Sequence, residues 1–474
     1  CELDPAQPFF APDYTPLWRS TDGGRSYSFL ADPLKLSEQG AGLRDLLNRI
    51  GQDHPGGYDT DVAVAPAQRP GRPPIVYVIS AFEASSTLAV SGDGGNTWQV
   101  ARLAGAVPVQ DRPWLATDGA CDLYVQYHPL TGSQNVAAVP RVERYDGCRT
   151  LDAAVAGQLV APPLTSTLVE PAANDLTLGN QVMAKLAATG GRVFLAYQLC
   201  DTFPATLECN DPADHQSVHV AISADRGASF DDAALPDANL HGTLDDGTWP
   251  LALGADGNAL AVAATDTRHI ALWTSRDAGR TWVLRTRALD ATLGWDLASV
   301  PTVAVRGATI AVAWYGSPPS DSRESWYLVV ARSDDGGRSF VVQRLDPTLA
   351  TTAHGASLGD LLYDDFGALV TRTGDIAVAY NQSCLEQPAS DPECPGPPSG
   401  ATTHSLVVRS ALLPRPADVG APRDSSRLER GRPGQRRGQR RGQRRGQRRG
   451  QRRGQRRGQR RRPVGRKRPT TPRR

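Results

Sequence analysis

The sequence predicts an all-β protein built from one repeated sheet motif, followed by a disordered C-terminal tail. Three observations carry this prediction: an eight-residue motif that recurs five times, pairs of short apolar runs between its copies, and a final segment without acidic residues. The 474 residues are enough for one large repeat domain. No apolar run approaches the roughly 18 residues that a membrane helix needs.

The recurring motif has the form S-x-D-x-G-x-S/T followed by an aromatic residue. Its copies STDGGRSY, SGDGGNTW, SADRGASF, SRDAGRTW and SDDGGRSF have their aspartates at Asp22, Asp93, Asp225, Asp277 and Asp335. A degenerate sixth copy, RYDGCRTL, surrounds Asp146. Successive aspartates are 71, 53, 79, 52 and 58 residues apart, which is about the length of one four-stranded β-propeller blade with its loops.

Apolar runs flank the motifs and predict the strands of each blade. STLAVS and WQVARL surround the motif at Asp93, and a second pair, DVAVAP with PIVYVIS, precedes that hairpin. Four strands per unit predict a six-bladed β-propeller, with seven blades as the alternative because SLVVRSALL at 405–413 adds a strand. We expect N-terminal strands to complete the last blade and hide its open edge. Only residues 42–50 suggest a helix.

The motif aspartates are predicted to be structural and not catalytic. A carboxylate in this position can accept hydrogen bonds from backbone N–H groups of its own turn, and glycine permits the positive φ that the turn requires. The serine and threonine hydroxyls would close the loop, and the aromatic residue would pack between neighbouring sheets.

Charge divides the chain sharply. Residues 430–474 hold 22 of the 52 basic residues and none of the 50 acidic ones, so the remainder has 30 basic and 50 acidic residues. An acidic body of formal charge −20 would repel nucleic-acid phosphates, whereas the basic tail would attract polyanions. We divide the chain into a propeller at 1–413, a linker rich in proline and arginine at 414–433, and a tail at 434–474.

The tail repeats GQRR seven times from Gly434 and has almost no apolar residues, so it cannot form a core and is predicted to be disordered. It could bind nucleic acid, anionic lipid headgroups, acidic wall polymers or the acidic body of the same chain. The alternative is an expanded repeat without a selected function.

Six cysteines form three sequence-local couples, each within one predicted blade, and no CxxC motif occurs. The couples are Cys121 with Cys148, Cys200 with Cys209, and Cys384 with Cys394. Their spacing favours disulfides formed in an oxidising compartment over a metal site. Free thiols in the cytoplasm are the alternative.

The chain begins with Cys1, and lysine is scarce among its basic residues, as is typical of proteins from high-GC bacterial genomes. A bacterial lipoprotein is cleaved just before a cysteine that then carries the lipid, so we expect Cys1 to be lipidated and the protein to be secreted or anchored at the bacterial cell surface. The alternative is an arbitrary boundary that happens to fall on a cysteine.

The motifs, together with DRPWLA at 111–116 and GGYDTDVAV at 56–64, make residues 15–413 resemble the Asp-box (BNR-repeat) propellers of the sialidase superfamily, including bacterial exo-α-sialidase-like proteins. The resemblance implies the propeller fold. Sialidases also carry an Arg-Ile-Pro motif, an arginine triad, a Tyr–Glu nucleophile pair and an Asp acid/base. Arg-Ile-Pro is absent and no Tyr–Glu pair can be assigned, so the resemblance identifies no catalytic residue in this chain.

Ligands of propellers usually bind where loops lead into the strands that line the central channel. The predicted loops are acidic and aromatic, and their candidate ligand-binding residues are Tyr58, Asp59, Asp61, Asp111, Arg112, Trp114, Asp245, Asp246, Trp249, Tyr363, Asp364 and Asp365. The tryptophans could stack on a sugar, and the acids could accept hydrogen bonds or hold a structural cation such as calcium. Turn capping and packing between blades are the structural alternatives.

Three functions are consistent with these features. The first is an extracytoplasmic propeller, expected to be a monomer, that binds a carbohydrate or protein ligand on its acidic central face. The second is a sialidase-like glycoside hydrolase using paired carboxylates. The third is a surface protein that binds polyanions through its tail.

Overall fold

A computed structural model describes residues 17–31, 33, 60–82, 85–101, 110–129, 140–169, 184–200, 216–238, 251–266, 268–295, 297–318, 325–345, 351–352, 366–383 and 406–415. The chain divides into two compact units, residues 1–420 and 421–474. The second unit, which contains the whole arginine-rich tail, lies outside the described residues.

Six antiparallel sheets follow one another along the first unit. The first four sheets, blades 1 to 4, have four strands each. Blade 1 has β3 (Thr60–Ala65), β4 (Ile75–Phe82), β5 (Ser85–Ser91) and β6 (Gln99–Ala101), and blade 2 has β7 (Gln110–Asp118), β8 (Asp122–Pro129), β9 (Arg141–Asp146) and β10 (Thr165–Leu168). Blade 3 has β11 (Ala187–Thr189), β12 (Arg192–Cys200), β13 (Gln216–Ser223) and β14 (Asp231–Ala234), and blade 4 has β15 (Leu251–Asp256), β16 (Ala259–Thr265), β17 (Ile270–Ser275) and β18 (Val283–Thr286). Blade 5 has β19 (Leu297–Arg306), β20 (Thr309–Ser317), β21 (Ser325–Ser333) and β22 (Val341–Arg344), with β23 (Thr351–Thr352) pairing onto β21. Blade 6 has β24 (Gly367–Val370), β25 (Ile376–Ser383) and β26 (Leu406–Leu413).

The strands pair in chain order within each blade, and the first strand of each blade contacts the first strand of the next from β3 to β24. Apolar residues on both faces of the sheets form five buried clusters, each shared by two successive blades. Burial of both faces explains why strands such as IALWTS are almost wholly apolar. This arrangement confirms the predicted six-bladed β-propeller.

A separate hairpin of β1 (Leu17–Arg19) and β2 (Ser28–Ala31) lies between blade 6 and blade 1. Arg19 donates to the backbone oxygen of Gly94 in blade 1 at 3.3 Å, and a Cβ on Gly24 would lie 3.9 Å from Leu412 of β26. This differs from the expected completion of blade 6 by N-terminal strands. In the described residues, β26 from the C-terminal part of the chain pairs with β25, and β1 pairs with β2 in a sheet of its own.

The five Asp-box loops have one hydrogen-bond pattern. In each loop the first serine donates to Oδ1 of the aspartate at 2.8–2.9 Å, and the serine or threonine four residues after the aspartate donates its hydroxyl to Oδ2 at 2.6–2.7 Å. The backbone N–H of that same residue reaches Oδ1 at 2.9–3.1 Å. The hydrogen bonds to the box carboxylate thus all come from its own loop.

These hydrogen bonds all stabilise the ionised carboxylate. They lower the pKa of the five aspartates, with the hydroxyls of Ser229 and Thr281 as the main cause for Asp225 and Asp277, whose pKa falls to about 2. The loops also contact the preceding blade, because a Cβ on Gly279 would lie 2.5 Å from Cδ1 of Ile222.

The degenerate sixth motif is replaced by a helix. Asp146 accepts a hydrogen bond from the backbone N–H of Arg149 at 3.1 Å and caps α1 (Gly147–Val155). The sequence TLDAAVA after the cap favours a helix over a tight turn. Cys148 in its first turn forms a disulfide with Cys121 in the β7–β8 turn, which ties two strand connections of blade 2 together. The suggested helix at 42–50 lies outside the described residues.

Candidate functional site

The candidate site lies between the first strands of blades 1 to 3, near the start of β3 and β11 and beside the middle of β7. At this end of the channel, Asp61 on β3 receives hydrogen bonds from the backbone of Leu115 on β7 at 2.7 Å and from Lys185, just before β11, at 2.5 Å. One carboxylate therefore joins the inner edges of three blades. We call Asp61, Lys185 and the Leu115 backbone the channel mouth.

The channel mouth includes a cation that the sequence did not suggest. The Asp61 side chain is only 11% exposed, whereas that of Lys185 is 45% exposed, so the ammonium is the more accessible charge. Lys185 is one of three lysines in the chain, and it follows a stretch with no charge pattern that would have singled it out. The site can therefore donate hydrogen bonds to a ligand as well as accept them.

Trp114 is half-buried and packs against the apolar cluster between blades 2 and 3. It lies beside Leu115 at a bulge, where the pairing of β7 with β8 shifts between Asp111 and Trp114. The backbone of Asp111 and Arg112 belongs to β7, but the structure does not describe their side chains. Trp114 thus has the interblade packing that was the structural alternative, with part of its ring left exposed.

The other predicted ligand-binding residues lie outside the described residues. They are Tyr58, Asp59, Asp245, Asp246, Trp249, Tyr363, Asp364 and Asp365. Cys1, Cys209, Cys384 and Cys394 are outside them as well, and Cys200 is described only by its backbone at the end of β12. The acidic cluster as a whole therefore stays a prediction.

A Tyr–Glu arrangement that the sequence could not assign occurs in blade 2. Glu143 accepts hydrogen bonds from the hydroxyls of Tyr127 at 2.9 Å, Tyr145 at 2.6 Å and Ser166 at 3.1 Å. Burial, followed by the charge of Glu143, raises the pKa of both tyrosines above the ordinary value. All three side chains of the Tyr–Glu group are buried between blades 1 and 2, away from the channel, so this group is built to anchor strands and not to attack a sugar.

Two histidines that sequence reasoning passed over are each paired with an aspartate. His269 Nδ1 lies 2.9 Å from Asp290 Oδ2, and Asp290 is almost fully buried. His219 Nδ1 lies 2.9 Å from Asp232 Oδ2 in blade 3. The S-x-H spacing in β13 could have pointed to His219 from the sequence, because residues two apart in a strand share a face.

A metal-binding geometry is found once among the described residues, where Cys121, Asp146 and Cys148 approach one another. Their proximity follows from the disulfide, which leaves neither sulfur available as a thiolate ligand. The acidic residues considered for calcium lie mostly outside the description. Within the described ranges, no helix has the length and apolar character needed to cross a membrane.

No protein-family model matches the sequence, and no curated protein matches it. Three solved structures are similar to this chain over part of its length. The Hadza microbial sialidase is 12% identical over 69% of this chain and 63% of its own, with a TM-score of 0.40. The α-L-arabinofuranosidase from Fusarium graminearum is 14% identical over 70% of this chain and 85% of its own, with a TM-score of 0.39.

The xylan β-1,4-xylosidase from Bacillus halodurans C-125 is 12% identical and has a TM-score of 0.33. The match covers 62% of this chain and about half, 52%, of the xylosidase. No residue's role in this chain follows from the similarity to these three proteins.

Proposed function

We propose that this chain is an extracytoplasmic β-propeller that binds a carbohydrate at the channel mouth. The observation that carries the proposal is the Lys185–Asp61 pair, which presents an exposed ammonium held by a nearly buried carboxylate at the axis of the fold. Sugar hydroxyls and carboxylates are acceptors for such a donor, and a site held by three strands is pre-organised. A protein ligand is the alternative occupant of the same surface.

The disulfide supports the extracytoplasmic part of the proposal. Cys121 and Cys148 are paired, and disulfides persist chiefly in oxidising compartments. The lipid on Cys1 and the other two cysteine couples remain proposals that peptide mapping of the protein secreted by its host would test.

Binding is tested with the full chain produced in an oxidising compartment. A glycan array identifies a ligand, and calorimetry then compares the wild type with Lys185→Gln and Asp61→Asn. We expect each variant to weaken binding by at least about tenfold, since loss of one charged hydrogen bond costs about 1.5–3 kcal/mol. Arg192→Gln is the matched control. Arg192 follows the turn after β11, at the opposite end of the inner strands, where it donates a hydrogen bond to the side chain of Asn258.

Unchanged affinity in both channel-mouth variants would show that the glycan binds elsewhere. Absence of any glycan ligand for a folded protein, combined with capture of a protein that both variants release, would favour the protein-binding alternative. A panel of fluorogenic glycosides that includes a sialoside tests the hydrolase alternative in parallel. Turnover of any of these substrates would favour a glycoside hydrolase over a binding protein.

The tail provides a separate proposed function. Residues 430–474 hold 22 basic residues and no acidic one, which favours attachment to a polyanion such as nucleic acid, anionic lipid or wall polymer. Cell-surface retention of the full chain is compared with that of a chain ending at residue 429. Equal retention at low and high salt would exclude an anchoring role for the tail.

A further inference from the structure

A second cluster of polar side chains lies in blade 3, away from the channel mouth. Ser217 and His219 point to the same face of β13, and Asp232 lies on the neighbouring strand β14. Ser217 Oγ is 3.0 Å from His219 Nε2, and His219 Nδ1 is 2.9 Å from Asp232 Oδ2. A hydroxyl, both ring nitrogens of one imidazole and a carboxylate are thus connected in series.

The surroundings of His219 hold its ring in place. Tyr197 stacks on the imidazole with ring centroids 5.6 Å apart and donates its hydroxyl to Oδ1 of Asp232. Desolvation by partial burial opposes ionisation of Asp232, but hydrogen bonds from His219 and Tyr197 outweigh it and lower the pKa of the carboxyl. The ionised carboxylate directs the Nδ1 proton toward itself, which leaves Nε2 as the acceptor for the Ser217 hydroxyl.

We propose that Ser217, His219 and Asp232 form a nucleophile–base–carboxylate triad that hydrolyses carboxylic esters. The series order matches the roles that acyl transfer needs: a hydroxyl to attack, an imidazole to take its proton, and a carboxylate to orient the imidazole. Structural histidine–aspartate pairs require no third partner, whereas here the second ring nitrogen is directed at a serine.

The proposed reaction balances without a cofactor. Ser217 Oγ forms a bond to the carbonyl carbon of the ester as His219 takes the hydroxyl proton. The bond from that carbon to the alcohol oxygen then breaks, and His219 returns the proton to the departing alcohol. Water attacks the acyl-serine in the same way, releases the carboxylic acid and restores the Ser217 hydroxyl.

Access to the cluster comes from its position at the start of β13. Ser217 is half-buried, and the side chains of His219 and Asp232 are 14% and 28% exposed. The Tyr–Glu group of blade 2 has side chains that are all buried. The triad, unlike that group, keeps partly exposed side chains, and we expect a small acyl group to reach the Ser217 hydroxyl.

A fluorophosphonate probe and 4-nitrophenyl acetate test the proposal on the full-length protein. We expect the probe to label Ser217, as identified by peptide mass spectrometry, and Ser217→Ala to lose both labelling and ester turnover. His219→Gln should slow turnover by about 100-fold or more. Asp232→Asn should lower kcat with little change in KM, because Asp232 positions the base and does not touch the ester.

Ser85→Ala is the matched control. Ser85 stands six residues before the Asp-box serine in blade 1, as Ser217 does in blade 3, but Thr87 occupies the position of the histidine. The control should keep full labelling. Circular dichroism and thermal melting establish that each variant is folded. A folded wild type that reacts with neither probe, or labelling that persists in Ser217→Ala, would overturn the proposal.

Discussion

The Nζ atom of Lys185 lies 2.5 Å from Oδ1 of Asp61, although the two residues are 124 positions apart and belong to blades separated by a third. The contact is made around the axis of the propeller, where the first strands of successive blades meet. It links the fold to the proposed site, because the same two side chains join blades 1 and 3 and form the charged part of the channel mouth.

Removing this pair should cost little stability even if it abolishes binding. The ammonium is nearly half exposed, and exposed ion pairs contribute about 0–1 kcal/mol. A double-mutant cycle of Lys185→Met and Asp61→Asn in urea should give a coupling free energy of about 0.5–1 kcal/mol that falls in 1 M salt. A coupling free energy that is large and insensitive to salt would show that the pair is mainly structural.

Loss of a box aspartate should destabilise the fold more than loss of another surface aspartate. Asp93→Ala removes the acceptor for the hydroxyls of Ser91 and Thr97 and for two backbone N–H groups. We expect the free energy of unfolding to fall by about 1–3 kcal/mol, as for a lost cap with charged hydrogen bonds. Asp231→Ala, an exposed position on β14, is the control and should change it by less than about 0.5 kcal/mol. Equal effects of the two variants would contradict a structural role for the box.

Acid should weaken the boxes only at low pH. The pKa of Asp277 is about 2, below its ordinary value of 3.8, so the carboxylate stabilises the folded chain above about pH 4 and loses that contribution as the pH falls toward 2. Thermal melts of the wild type and Asp277→Asn between pH 5 and pH 2 measure the difference. The two melting temperatures should converge on acidification, and a constant gap would contradict the lowered pKa.

Glycines in the box loops should tolerate alanine less well than glycines in open turns. Gly279 has a φ of +83°, and an added Cβ would lie 2.5 Å from Ile222 in the preceding blade. Gly257 has a φ of +60° and no atom within 4 Å of an added Cβ, so its substitution introduces backbone strain alone. Denaturation should show Gly279→Ala to be less stable than Gly257→Ala by about 1 kcal/mol or more. If Gly279→Ala were the more stable of the two variants, the neighbouring blades would be able to move apart without loss of stability.

The disulfide of blade 2 should stabilise the folded protein substantially. Cys121 and Cys148 close a loop with a sequence separation of 27 residues. Replacing both by serine should lower the free energy of unfolding by about 2–4 kcal/mol. Thiol counting on the unreduced, denatured wild type should find no free thiol among the other four paired cysteines, Cys200, Cys209, Cys384 and Cys394. Four free thiols at these positions would disprove the other two predicted couples.

Much of the fold could be predicted because its signals are short in sequence. A box aspartate contacts residues only two to four positions away, so the motif carries its whole hydrogen-bond pattern wherever it occurs. Strand runs such as STLAVS coincide with β5 for the same local reason, since a strand between two blades must be apolar on both faces. The count of strand pairs along the chain then predicted the number of blades. The helix at Asp146 was missed because a capping aspartate and a box aspartate look alike in sequence.

The sequence by itself thus determined the repeated β unit, the box loops, the acidic body and the basic tail, all of which depend on neighbouring residues or on composition. Only the tertiary structure decided that Lys185 meets Asp61, that β26 takes the edge of β25, and that His219 joins Ser217 to Asp232. These contacts depend on strand register and on the angle between blades. Neither quantity is encoded in a local pattern, because each is set by how whole sheets pack around the axis.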